Sequence, residues 1–476
     1  MRRLIQRTCT QFNLQGRLEE TDALVIDRMI QRKRRSSRLN VSEPKSKVVH
    51  FTFHPCWTND TEFLCSQHDT SQFSNRRPTR VRNSHGFSQP EASLEGCRLE
   101  PQPMGVGYRW FGRPLLRFQD SEKAHGRSLS LLRLFSANPL SRAVLRLMYK
   151  PRVTLPITLF GVQYDHPFGL AAGMDKNAKA LLGWEATGLS FVEIGGVTML
   201  EQAGNPKPRM FRAPHAQALV NRMGFNNNGS EKIRAALDRH VKRYGKPGVP
   251  LWVNLGKSKV TALSDAHVDY GTTLERLWVH GDVFVINVSS PNTPNLRELQ
   301  DDEGLLRILA HCQAVNKRMA DSNAGDAKPL LVKLAPDMTE EQLVHIAQTA
   351  KANGADGIVV SNTTVERPSS PVGKDGAVFE QQGGLSGKPL KQRSTEMIAT
   401  VRQAVGPDWP IIGVGGISCA DDAWEKIQAG ATLVQAYSAF VFEGPALTKD
   451  VVHGLARRLK HSPYSTVQEA VGSAQS

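Results

Sequence analysis

The chain has 476 residues, 40% of them hydrophobic, and carries 60 Lys and Arg against 45 Asp and Glu, a net charge of +15. That length holds one large α/β domain with additional segments, or two to three small domains, and the charge suits anionic partners: phosphates, carboxylates, nucleic acid or an anionic membrane surface. No run of about 18 apolar residues exists, which argues against a membrane-spanning helix. No apolar h-region follows Met1, so no secretory signal is expected. The six cysteines are scattered without metal-type spacing and are expected to be reduced thiols of a cytosolic protein.

Residues 1–105 read as a disordered basic extension. Arg32–Lys33–Arg34–Arg35 lies in a Ser- and Arg-rich stretch, and polar residues dominate from Thr58 to Gln89. Hydrophobic periodicity is poor apart from a short helix near Leu18–Ile30. A basic arm for nucleic acid, an organelle presequence (opposed by Glu19, Glu20, Asp22 and Asp27) and an over-long reading frame stand beside that reading. Residues 106–150 differ. Leu129, Leu131, Leu132, Leu134, Leu140, Val144, Leu145 and Leu147 are interleaved with Arg127, Arg133, Arg142 and Arg146, as in short amphipathic helices. Such helices can cap the main domain or lie on an anionic bilayer, and the two roles are compatible.

From residue 151 to 462 the chain alternates strand-like and helix-like stretches, the pattern of a parallel sheet with helical crossovers. Thr154–Val162 reads as an entering hairpin. Eight strands are expected at Phe168–Ala172, Phe191–Ile194, Leu251–Asn254, Val283–Val288, Leu330–Leu334, Gly357–Val360, Ile411–Val414 and Thr432–Gln435. Their number and spacing predict an α/β fold, a (β/α)8 TIM barrel with an N-terminal amphipathic helical extension. A doubly wound open sheet is the competitor, but no G-x-G-x-x-G follows the first strand. Residues 463–476 read as a tail.

Barrel chemistry collects where strands end, and these strand ends are polar. Val288 gives way to Ser289–Ser290–Pro291–Asn292–Thr293, and Val360 to Ser361–Asn362–Thr363–Thr364. Ordinary turn chemistry would also choose Ser, Pro and Asn. Lys333 is harder to explain structurally, because a lysine in an apolar strand is rare unless paired. Glycines at Gly415–Gly416 and the run Tyr437–Ser438 follow the seventh and eighth strands, where barrels often build a phosphate site from backbone N–H groups. Amides, a buried cation and a phosphate site suit FMN.

Ordered motifs extend this pattern: GLAAGMDKN, EIGGVT, GNPKPRMFR, NRMGFNN, VNLGKSK, INVSSPNTPNLR, VKLAPD, SNTT, GGLSGKPL, IIGVGGI and LVQAYS. With them, the chain from Tyr108 to Leu459 closely resembles the class 2, quinone-dependent dihydroorotate dehydrogenases. The resemblance implies an FMN enzyme of pyrimidine synthesis that oxidises (S)-dihydroorotate to orotate and reduces a membrane quinone. It implies Ser290 as general base at C5, with Thr293 and Phe225 on the proton path. Lys176, Asn221, Arg222, Met223, Gly224, Phe225, Asn287, Asn292, Asn362 and Thr363 would face the substrate. Ala172, Gly173, Lys176, Gly196, Asn254, Asn287, Lys333, Ser361, Gly387, Gly416, Tyr437 and Ser438 would hold FMN.

His125, Arg212 and Tyr437 would line a quinone path beneath the amphipathic segment 108–150, which would rest on an anionic membrane surface. No metal and no nucleic-acid partner are expected. The implied location is peripheral, on the cytoplasmic face of a bacterial inner membrane, with the mitochondrial inner membrane as the alternative. Three positions depart from the family pattern: Gly196 replaces Ser or Thr, Ser361 replaces Thr, and Met199 replaces Pro. A class 1-like enzyme using fumarate or NAD is one alternative function; that class carries a cysteine base, absent from this segment. A non-catalytic barrel with a nucleic-acid-binding arm is another.

Overall fold

The computed structural model describes residues 108–113, 116, 118–300, 302–369 and 375–475. The expected extension 1–105 lies outside them. Within the described residues the amphipathic segment forms a π-helical turn (Tyr108–Gly112) and two α-helices, α1 (Ser121–Ala137) and α2 (Pro139–Tyr149). Asp120 caps α1 by accepting from Lys123 N. Asn138 turns the chain between the helices: its side chain accepts from Leu140 N and Ser141 N, and Pro139 opens α2.

A hairpin follows, with β1 (Ile157–Leu159) antiparallel to β2 (Val162–Tyr164). It lies later than the expected Thr154–Val162. Phe160 and Gly161 both have positive φ, so they are the turn and Val162 begins the return strand. The barrel strands come next: β3 (Phe168–Leu170), then helix α3 (Leu181–Ala186) and β4 (Val192–Val197). Between β4 and helix α4 (Gly229–Tyr244) the chain inserts β5 (Met210–Ala213) and β6 (Ala218–Asn221). β7 (Leu251–Leu255), α5 (Ala266–Leu277), β8 (Val283–Asn287), α6 (Asp302–Ser322), β9 (Leu330–Lys333), α7 (Glu340–Ala352) and β10 (Gly357–Val360) continue the alternation. Then come α8 (Gly376–Phe379), β11 (Gly384–Gly387), α9 (Lys391–Val405), β12 (Ile411–Val414), α10 (Ala420–Gln428), β13 (Leu433–Ala436), α11 (Ser438–Glu443) and α12 (Leu447–Lys460).

β3, β4, β7, β8, β9, β10, β12 and β13 close into one parallel barrel, β13 pairing with β3 at Val434↔Phe168. Seven of the eight expected strands match to within two residues at either end, and the second, expected at Phe191–Ile194, runs on three residues further to Val197. The second sheet, β11-β6-β5, is antiparallel and was not anticipated. Its strands belong to the loops after β4 and β10, at the carboxyl ends of the barrel strands.

Strand periodicity sorts the barrel interior. Val253, Phe284, Ile286, Val332 and Ile358 pack outward in the main core. Phe191, Trp252, Val283, Val285, Leu331, Val359 and Leu433 form a separate inner cluster. The hairpin joins this cluster through Ile157 and Tyr164, with the Phe191 and Trp252 rings stacked at 4.6 Å and Tyr164 edge-on to Phe191 at 5.6 Å. The inner stripe therefore begins apolar and plugged, and becomes polar only toward the mouth.

Residues 463–475 continue in contact with the domain. Val467 and Ala470 are buried, Gly472 N donates to Ile427 O at 3.0 Å, and Gln475 Nε2 donates to Ala399 O and Ala429 O. Cys312 is a free, buried thiol.

Candidate active site

One more period along the inward stripe, the apolar floor gives way to Glu193, Asn254, Asn287, Lys333, Ser361 and Gln435, all buried. Glu193 Oε1 accepts from Asn254 Nδ2 at 2.7 Å and Oε2 from Gln435 Nε2 at 2.7 Å. Asn287 Nδ2 donates to Asn254 Oδ1 at 2.8 Å, and Asn287 Oδ1 accepts from Ser289 Oγ at 2.9 Å and Asn362 Nδ2 at 3.3 Å. Such a network is stable in a dry interior only because its members satisfy one another. Two groups stay open among the described residues: Gln435 Oε1 has no donor, and the Lys333 ammonium makes no hydrogen bond. Burial pulls the Lys333 pKa down, and the nearby Glu193 charge opposes that shift.

These groups line a cavity at the mouth that takes in most of the residues singled out above. Ala172, Gly173, Lys176, Gly196, Gly387, Gly416, Tyr437 and Ser438 lie on its walls with Asn254, Asn287, Lys333 and Ser361. Asn221, Met223, Gly224, Phe225, Ser290, Asn292, Asn362 and Thr363 line it too. Asn292 Nδ2 donates to Asn221 Oδ1 at 3.3 Å, joining the β8 loop to the end of β6. Burial lowers the Lys176 pKa to about 8, with Glu122 opposing, and its ammonium donates to Gly173 O at 2.9 Å.

Two residues lie elsewhere. Arg222 turns off the wall: its guanidinium covers the Phe211 ring at 4.7 Å and donates to Gln381 Oε1. Thr293 is buried but is not part of the cavity wall.

The glycine turn after β12 is shaped for close approach. Gly415 and Gly416 both have positive φ, and a Cβ on Gly416 would fall 2.5 Å from Lys391 Cα. Behind it, Ser394 Oγ donates to Gly415 O at 3.1 Å, and the fully buried Lys426 donates to Lys391 O at 3.2 Å, to Thr395 Oγ1 at 2.8 Å and to Ser394 Oγ. Backbone N–H groups of this turn, the Ser438 hydroxyl and the open Lys333 cation form a donor set fit for a phosphate and a planar, carbonyl-bearing ring. Gly196 is explained by its neighbour: a Cβ there would meet the Phe225 ring at 2.6 Å.

A second, apolar cavity lies beneath α1 and α2. Leu129, Leu132, Phe135, Met174, Trp184 and Phe440 line it, with His125, Arg212, Arg113, Ser121 and Ser128 among its polar members. Tyr437 borders the polar cavity rather than this one. Burial, reinforced by Lys176, pushes the His125 pKa down to about 4, so the ring is neutral at pH 7. A fork from Arg209 to Glu122, at 2.7 and 3.0 Å, ties α1 to the start of β5.

Sequence reasoning passed over Glu193, although a carboxylate inside an apolar strand is the same signal that drew attention to Lys333. It also gave no role to Arg297, which ties the two mouth loops by donating to Ser289 O and Thr363 O and pairing with Asp337 at 2.8 Å.

A family model for dihydroorotate dehydrogenase matches residues 154–459. A dihydroorotate dehydrogenase (quinone) of Gloeobacter violaceus is 43% identical over 363 residues, covering 76% of this chain and 98% of the relative. One of the same name from Natronomonas pharaonis is 42% identical over 360 residues, covering 76% and 97%. The solved structure of the Eimeria tenella DHODH in complex with ferulenol superposes with a TM-score of 0.68 at 34% identity, covering 75% of this chain and 96% of that one. Sequence motifs, barrel and site geometry thus meet in one assignment: the chain belongs to the dihydroorotate dehydrogenase family, on the branch whose members are named for quinone.

Proposed function

We propose that the chain oxidises (S)-dihydroorotate to orotate in pyrimidine synthesis, with FMN in the polar cavity and a membrane quinone as final acceptor. The observation that carries this reading is the polar cavity itself, where a buried lysine without a hydrogen-bond partner among the described residues, a row of fixed amides and a glycine turn converge beside Ser290. When bound, FMN supplies the acceptor for hydride from C6 of the substrate and the route by which electrons leave for quinone.

The chain's own residues do the rest. Lys176 keeps its charge at neutral pH and meets the substrate carboxylate, while Asn221, Asn287, Asn292 and Asn362 bind the ring's carbonyl and N–H edges. Ser290 removes the C5 proton. Its Oγ accepts from Asn292 N at 3.3 Å, and among the described residues its own hydrogen has no protein acceptor, so it can turn toward substrate. A serine is too weak a base alone, and the buried Thr293 on the same turn offers the next hydroxyl of a relay in a dry site. Phe225 walls that path.

Quinone enters through the apolar cavity under α1 and α2, past the neutral His125 and Arg212. Phe118, Leu134, Leu140 and Leu147 are exposed on this segment among Arg127, Arg133 and Arg142, a surface suited to an anionic bilayer. None of the described helices is long and apolar enough to cross a membrane, and the attachment is peripheral, on the cytoplasmic face of a bacterial inner membrane. The test is anaerobic: mixing with dihydroorotate should bleach the flavin absorbance, and a short-chain quinone should restore it. Recovery with fumarate or NAD but not with quinone would replace the acceptor, and a protein without flavin would overturn the reading.

A further inference from the structure

The hydrogen-bond chain across the barrel has a direction, and one residue sets it. An Asn or Gln side chain can turn its carbonyl or its amino end to a neighbour. Both oxygens of Glu193 act as acceptors, so Asn254 and Gln435 must each present an amino group to it. Asn254 Oδ1 is then left to face Asn287, which must donate. Asn287 Oδ1 in turn faces Ser289 and Asn362, and both donate to it. Asn362 Oδ1 is turned away and accepts from Thr363 N at 2.8 Å. Four amides on four different strands or strand ends are thus oriented by one carboxylate at the bottom of the polar layer.

We propose that Glu193 is a positioning residue that sets the polarity of this amide chain, so that the carbonyl ends of Asn254, Asn287 and Asn362 are engaged within the protein and the free N–H groups of Asn254 and Asn287 face the ligands. Asn254 and Asn287 each use one amino hydrogen in the chain and, among the described residues, keep the second for a ligand. Flavin and orotate rings are rich in carbonyl oxygens, and orotate adds a carboxylate, so a wall of donors suits both and a wall of acceptors would repel them. Glu193 also supplies the negative charge that helps hold Lys333 protonated against burial. This proposal rests on the flavin and dihydroorotate reading above.

Glu193→Gln tests it with little change in shape. The new carboxamide must donate from one end, so either Asn254 or Gln435 has to turn over. If Asn254 turns, Asn287 and Asn362 lose their fixed sense. Orotate affinity, read from the perturbation of bound flavin absorbance, should weaken at least about tenfold in the flavin-loaded fraction, the scale of one or two misdirected hydrogen bonds. Glu193→Asp, which keeps an acceptor-only carboxylate at this position, should retain more orotate affinity and more flavin than Glu193→Gln. A Glu193→Gln protein within about twofold of the unsubstituted protein would overturn the proposal, as would a Glu193→Asp protein no better than Glu193→Gln. An unsubstituted protein that holds no flavin and ignores orotate would instead overturn the functional reading, and the proposal with it.

Discussion

The two cavities are built on opposite principles. The polar one is walled by strand ends, and its side chains are bonded from strand to strand: Glu193 on β4, Asn254 on β7, Asn287 on β8 and Gln435 on β13. The apolar one is roofed by helices that lie outside the barrel and are tied down by few polar links, notably Glu122 with Arg209 and Arg146 with Glu185. Proton and hydride chemistry needs groups fixed in place before the substrate arrives. A lipid-soluble acceptor needs room, a dry lining and walls that yield. Dense strand-to-strand bonding and sparse polar tethering thus fall on separate walls.

If that division holds, substitutions should separate the two half-reactions. The largest effect belongs to Ser290→Ala, which should slow flavin reduction by dihydroorotate about 100-fold or more while leaving flavin content and orotate binding near normal. Unchanged stopped-flow bleaching would remove Ser290 from its role. Lys333→Met should release flavin, with affinity lower by about 10- to 100-fold, the range for losing a charge-assisted hydrogen bond. Flavin fluorescence on dilution measures it. His125→Ala should leave bleaching by dihydroorotate intact and slow reoxidation by quinone by about tenfold, seen as a raised KM for quinone. An equal slowing of both half-reactions would dissolve the distinction between the cavities.

The smallest effect concerns the roof. Hydrogen bonding from Arg209 holds the Glu122 carboxyl below the ordinary glutamate range, with burial opposing. A depressed carboxylate pKa contributes stability that is complete above the unfolded value and disappears as pH falls through the folded one. The docking of α1 should therefore hold at pH 7 and weaken below about pH 4.5. Glu122→Gln should weaken it at neutral pH by on the order of 1 kcal/mol, since the pair is partly solvated. Amide exchange in 121–137 reads both, and protection that ignores pH and substitution would refute the clasp.

The barrel was legible because its strands are short apolar runs whose ends turn polar together. The antiparallel sheet β5-β6-β11 was not. Met210–Ala213 and Ala218–Asn221 lie inside what reads as one long loop, and their partner Gly384–Gly387 is distant in sequence and half glycine. Arg222 was placed at the substrate through its neighbours in the NRMGFNN motif, but successive residues beyond a strand need not share a face, and its guanidinium goes to Phe211 and Gln381. Glu193 went unnoticed because attention followed the strand ends, while the residue that orients them sits two positions before the glycines.

The C-terminal segment has a practical consequence. Gly472 and Gln475 tie the middle of α9, at Ala399, to the end of α10, and those two helices carry Ser394 and Lys426 beneath the glycine turn. A stop after residue 462, or a rigid fusion that drags on this segment, would pull at the far end of the lever supporting Gly415. Cofactor leakage during purification, rather than misfolding, is the symptom to expect from such a design, and affinity handles are better joined elsewhere.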